Sequence, residues 1–152
     1  MDSTASGAAP WHLWVVGVIA LLFTAFGGYD YTMSQLGDRA YIEAAVGGMG
    51  IPVDAAVDYF SSFPLWLDFL WAVGVWGAVL GAVLLLLRKR MAYPIFVLSL
   101  AAFIATNVYG FANPIPGIND PTPTYIATAV VFSVMLGLTL YARAMAARGV
   151  LG

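Results

Sequence analysis

Two carboxylates stand out in a chain that carries few charges. Asp30 follows "FGGY" directly, and Asp68 lies five positions after Phe63 in the apolar run "FPLWLDFLWAVGVWGAVLGAVLLLLRKR" (63–90). Two carboxylates held close together attract a cation, or one of them keeps its proton; proton-coupled and cation-binding sites are built this way. Asn107, Tyr109 and Tyr125 are the polar side chains that the same end of a helical bundle brings near them. A candidate ligand- or cation-binding cluster of Asp30, Asp68, Asn107, Tyr109 and Tyr125 is therefore geometrically possible. The alternative is that all five decorate a headgroup region, and helix rotation decides between the two.

Other chemistry is poorly supplied. With no cysteine there is no disulfide, thiolate metal site or thiol nucleophile. His12 is the single histidine, so neither a bis-histidine haem site nor a His-rich metal sphere can be assembled. It stands beside Trp11 and Trp14 at the opposite end of the first span from Asp30, which rules out a Ser-His-Asp arrangement with the acids. "GGMG" (47–50) lacks the Lys and Ser/Thr that follow the glycines of a phosphate loop. No catalytic residue, cofactor or metal site is expected.

The elements that position these residues are membrane spans. The chain is 62% hydrophobic and 9% charged, with a mean hydropathy of +0.88; soluble domains carry roughly 25% charged residues. A net charge of −2 gives no basic patch for nucleic acid. A span needs about 20 apolar helical residues, and four runs qualify, at about 11–28, 65–87, 91–111 and 124–144. No Lys or Arg precedes the first run, so it is expected to be a retained span rather than a signal peptide. "RKR" (Arg88 to Arg90) joins the second and third spans, and Arg143 and Arg148 follow the fourth. The positive-inside rule then puts both termini in the cytoplasm, with five of the six basic residues inside. Of the eight acids, all but Asp2 fall outside.

The expected fold is an all-α, four-transmembrane-helix, up-down-up-down bundle forming a single domain over residues 1–152. The outer loop 29–64 is expected to hold two short helices, one capped by Asp38 and stopped at Gly47, the other capped by Asp54. From Phe69 to Leu87 there are 19 uncharged residues, roughly 28 Å of helix at about 1.5 Å per residue. This run crosses a bilayer without Asp68, which therefore stands at the outer interface with Trp66 and Trp71 as anchors. Small-residue stripes at Gly74, Gly77 and Gly81, and at Ala20, Thr24 and Gly28, are expected to let helix backbones approach within the chain. "LWVVGV" (13–18) and "LWAVGV" (70–75) form a faint internal echo, too short to establish duplication.

The N-terminal "PWHLWVVGVIALLFTAFGGYDYTMSQ", the segment "AVGVWGAVLG" and the terminal "YARAMAARGVL" resemble a family of small four-span proteobacterial inner-membrane proteins, some labelled sugar transporters. The resemblance implies the topology and a bacterial inner membrane, and it assigns no binding or catalytic role. Three functions follow as expectations. The first is a non-enzymatic accessory or assembly subunit of a larger membrane complex. The second is a homo-oligomeric small-solute transporter or channel using Asp30 and Asp68. The third is a membrane enzyme acting on a lipid or quinone.

Overall fold

The structure is a computed structural model that describes residues 8–152, so Asp2 lies outside the described residues. The elements in chain order are α1 (Trp11–Gln35), α2 (Arg39–Val46), a single 3-10 turn (Gly47–Met49), α3 (Val53–Ser61), α4 (Leu65–Leu86), α5 (Ala92–Ala112) and α6 (Thr122–Ala147). No strand occurs among the described residues. Helices α1, α4, α5 and α6 are long and apolar enough to cross a membrane, with mean hydropathy between 1.7 and 2.3 over their most apolar windows.

Contacts between glycines and their neighbours fix the directions. Gly17 and Gly28 of α1 face Leu86 and Trp76 of α4, so these helices are antiparallel. Gly74 and Gly81 of α4 face Ser99 to Phe103 and Phe96 of α5, again antiparallel. Thr128 of α6 bonds Asn107 of α5, giving the third reversal. The helices therefore form a row, α1–α4–α5–α6, that runs up, down, up and down. α4 and α5 are the most closely joined. A Cβ at Gly81 would stand 2.7 Å from the Phe96 ring, and one at Gly74 3.4 Å from the backbone nitrogen of Phe103. Ser99 also donates to the Gly74 carbonyl. Ala20 and Thr24 are buried on the α1 face that carries Gly17 and Gly28.

The row closes at the end that bears Arg88 to Arg90, called here the basic end. Leu13, Ala82, Leu85, Phe96, Met135, Leu138, Ala142 and Met145 form one core there, drawn from all four long helices. α4 stops with Arg88 at φ 58, while Lys89 N–H bonds the Leu84 carbonyl and Arg88 N–H that of Leu85. This is a Schellman stop with arginine where glycine is usual. The tail after α6 then pairs with the turn: Arg90 N–H donates to Gly152 O, Gly152 N–H to Arg88 O, and Arg88 Nε to Val150 O.

At the other end, α2, α3 and the connection between α5 and α6 form a cap with its own small core of Ile42, Val46, Ile51 and Ala56, packed against Ile115 and Ile118. Asp38 accepts from Tyr41 N–H at 2.9 Å as the cap of α2. Two expectations are corrected. Asp54 does not cap α3: Pro52, with φ −60, precedes the helix, and Asp54 lies in its first turn paired with Arg39 at 2.7 Å. Pro52 is the N-cap itself, in extended backbone, and supplies no capping side chain. The first span does not stop at Gly28. Gly28 is the surface against which Trp76 packs, and the helix continues to Gln35, closing where Gly37 takes φ 63. Asp30 is therefore inside a helix rather than after one.

Candidate functional site

The extra turns of α1 matter because they put Asp30 and Ser34 four residues apart on one helix face. That face borders a cavity of about 650 Å³ in the capped half of the bundle. All four long helices and the cap contribute to its wall, among them Phe23 and Phe26 of α1, Trp71 and Val75 of α4, Phe103 of α5 and Val131 of α6. The cavity exists because the row does not close here. α6 buries no residue before Met135. Phe26 on α1 and Tyr125 on α6 both line the cavity, yet are 66% and 54% exposed, so the mouth opens sideways between those two helices.

The polar side chains in the wall are mostly turned back into the protein. Thr24 donates to Ala20 O at 2.8 Å, Thr106 to Ala102 O at 2.9 Å, and Ser99 to Gly74 O. Asn107 donates to Phe103 O at 2.9 Å and accepts from Thr128 at 3.1 Å. What faces the space is therefore mainly carbon, with the Tyr125 hydroxyl near the mouth and one polar corner. There the Tyr41 hydroxyl donates to Asp30 Oδ1 at 2.8 Å. Tyr41 is pushed up to about 12, first by burial and then by the hydrogen bond and charge of Asp30. Ser34, one turn along, is 8% exposed, and its hydroxyl has no hydrogen-bond partner among the described residues. No fully occluded side-chain polar atom among them lacks a partner, so this hydroxyl is not fully occluded, and Ser34 is part of the cavity wall.

The five residues expected to cluster are divided. Asp30, Asn107 and Tyr125 line the cavity; Asp68 and Tyr109 do not. Asp68, in the first turn of α4, accepts from Gln35 Nε2 at 3.0 Å at the exposed end of the bundle. Tyr109 joins a run of rings that holds α3 against α4 and α5: Trp66 and Phe63 meet it at 5.7 and 6.1 Å, and Phe63, Phe60, Trp71 and Tyr31 continue the chain. Tyr59, which donates to Asn113 O at 2.7 Å, is raised by its burial and then by Tyr109. His12 lies at the basic end, its Nδ1 2.6 Å from the Tyr141 hydroxyl. Among the described residues no three His, Asp or Glu side chains gather as a metal site.

Tyr41 and Ser34 are the site residues that the sequence did not disclose. The signal for Ser34 is its spacing of four from Asp30, visible only once α1 is carried past Gly28. Tyr41 gives no local signal, because the turn at Gly37 is what folds α2 back onto α1. No protein-family model, characterised protein or solved structure matches this chain.

Proposed function

We propose that this protein is a non-enzymatic membrane carrier that takes a small apolar or amphipathic molecule into the cavity beneath its cap. One observation carries the reading: a cavity of about 650 Å³ with a mainly apolar wall, in which Thr24, Thr106 and Asn107 donate back to their own helices and few polar groups, chiefly the Asp30 corner and the Tyr125 hydroxyl, are left to meet a ligand. Ligand sites have this size and this mixture of apolar wall and few polar groups. With the four long helices across a bilayer, the mouth between α1 and α6 faces hydrocarbon, so an apolar ligand enters without crossing water. A sugar fits poorly, since its several hydroxyls would lose water and find almost no partners in such a wall. The positive-inside rule places the basic end in the cytoplasm and the cap outside. The resemblance to four-span proteobacterial proteins supports a bacterial inner membrane.

The test is native mass spectrometry of the particle, extracted from its own membrane into lipid nanodiscs. The carrier reading expects a small molecule held in fixed ratio to the chain. Protein that carries nothing beyond exchangeable bulk lipid contradicts it.

A second reading, an accessory subunit of a larger complex, draws on the early turns of α6. They leave Tyr125, Ile126 and Val130 uncovered. A partner helix laid there would also close the mouth. A second protein in fixed ratio, with no small molecule, favours this reading instead.

A further inference from the structure

The polar corner has a sign. Asp30 is partly buried at the edge of an apolar cavity, and its only hydrogen-bond partner among the described residues is the neutral hydroxyl of Tyr41. The nearest basic residue in sequence, Arg39, is held by Asp54 at 2.7 Å. The remaining basic residues, Arg88 to Arg90, Arg143 and Arg148, and the single histidine belong to the opposite end of the bundle. A carboxylate withdrawn from water without a cation favours any ligand that supplies one. Beside it, Ser34 lines the cavity as an 8% exposed residue, and its hydroxyl is unpartnered and not fully occluded. The Tyr41 ring, edge-on to Tyr29 at 5.4 Å, adds an aromatic face of the kind that attracts ammonium groups.

Resting on the carrier reading, we infer that the cavity selects an amphipath with a protonated amine at its head and an unbranched or lightly branched hydrocarbon body. The ammonium donates to the second oxygen of Asp30 and to Ser34 Oγ, while the body lies along Trp71, Val75 and Phe103. A carboxylate or phosphate head is repelled by Asp30. A hydroxyl head can donate to Asp30 but brings no positive charge to compensate it.

Three probes with one hydrocarbon chain separate these cases: dodecylammonium, dodecanol and dodecanoate. Each is offered to the full chain in zwitterionic nanodiscs, with empty discs as the partition control, and retention is read by native mass spectrometry. The expected order is ammonium, then alcohol, then carboxylate. The ammonium should lead the alcohol by about tenfold or more, the advantage of an ion pair with Asp30 over a hydrogen bond from an uncharged donor. Asp30→Asn should abolish the lead of the ammonium over the alcohol, the ammonium losing more than the alcohol does. If Asp30→Asn fails to fold, Tyr41→Phe serves: it removes the internal donor, leaves the carboxylate, and should keep the ammonium in the lead. An ammonium that binds no better than the alcohol, or a lead lost in Tyr41→Phe, overturns the head-group inference and leaves the carrier reading standing. Retention of none of the three overturns the carrier reading itself.

Discussion

Asp30 and Asp68 are the same residue type near the same end of two adjacent antiparallel helices, and their surroundings separate them. Asp68 is half-buried like Asp30, but it sits outside the cavity in the first turn of α4, where the helix dipole favours an acid, and it accepts a hydrogen bond from Gln35 at the surface. Such a contribution is worth about 0.3–1 kcal/mol. Asp68→Asn should therefore cost no more than that in stability and leave ligand retention unchanged, whereas Asp30→Asn should change retention. A thermal unfolding curve and the retention assay together check both. Tyr41 reports on the same corner. Burial and Asp30 together hold its proton up to about 12, above the ordinary tyrosine value of 10. The folded state thus binds that proton more tightly than the unfolded chain does. The associated stability is fully present below pH 10 and is lost as pH rises toward 12. Phenolate absorbance should show Tyr41 ionising earlier in Asp30→Asn, though still above 10, because burial is the larger cause. Asp30 was legible in the sequence as an acid beside a span. Its partner was not, since the Asp30–Tyr41 pair depends on a tertiary turn at Gly37.

At the scale of the elements, the apolar run lengths were enough to locate all four long helices, because each run keeps a long uncharged stretch and proline or basic residues punctuate most of their ends. Helix length beyond the apolar core was not legible: "YDYTMSQ" is polar enough to read as loop, and it stays helical because α1 packs along α4 through Gly28 and Trp76. The glycines of α4 suggested close packing without naming the partner. The structure puts Gly74, Gly77 and Gly81 against α5. Gly81→Ala places a methyl 2.7 Å from the fully buried Phe96 ring, and overpacking of this kind costs about 1–3 kcal/mol. Gly137→Ala is the control. A Cβ there meets nothing within 4 Å, and α6 gains about 0.5–1 kcal/mol from the better helix former. Thermal unfolding in one detergent should move the two variants in opposite directions.

For the whole molecule, the cavity was the least legible feature. A bundle of four apolar helices is expected to close on itself, and this one does so only where Met135, Leu138, Ala142 and Met145 of α6 meet the other helices. The cap and the splay of α6 are products of packing between segments far apart in sequence, and neither has a local signature. The orientation is directly testable because the chain has no cysteine, so any introduced thiol is unique. Ser62→Cys, in the cap, should react with an impermeant thiol reagent on intact cells. Ala147→Cys, at the basic end, should react only after the cells are opened. The reverse pattern would place the basic end outside.

The carrier account is tested most directly at Gly27. This residue lines the cavity, and a Cβ built on it meets nothing within 4 Å, so a side chain can leave the backbone here without an immediate clash. Wild type and Gly27→Trp, extracted side by side into nanodiscs and weighed by native mass spectrometry, give the decisive comparison. The account predicts a small molecule retained by the wild type and absent from the variant, with the two unfolding at similar temperatures. Equal retention by both proteins would place the molecule elsewhere and contradict the account.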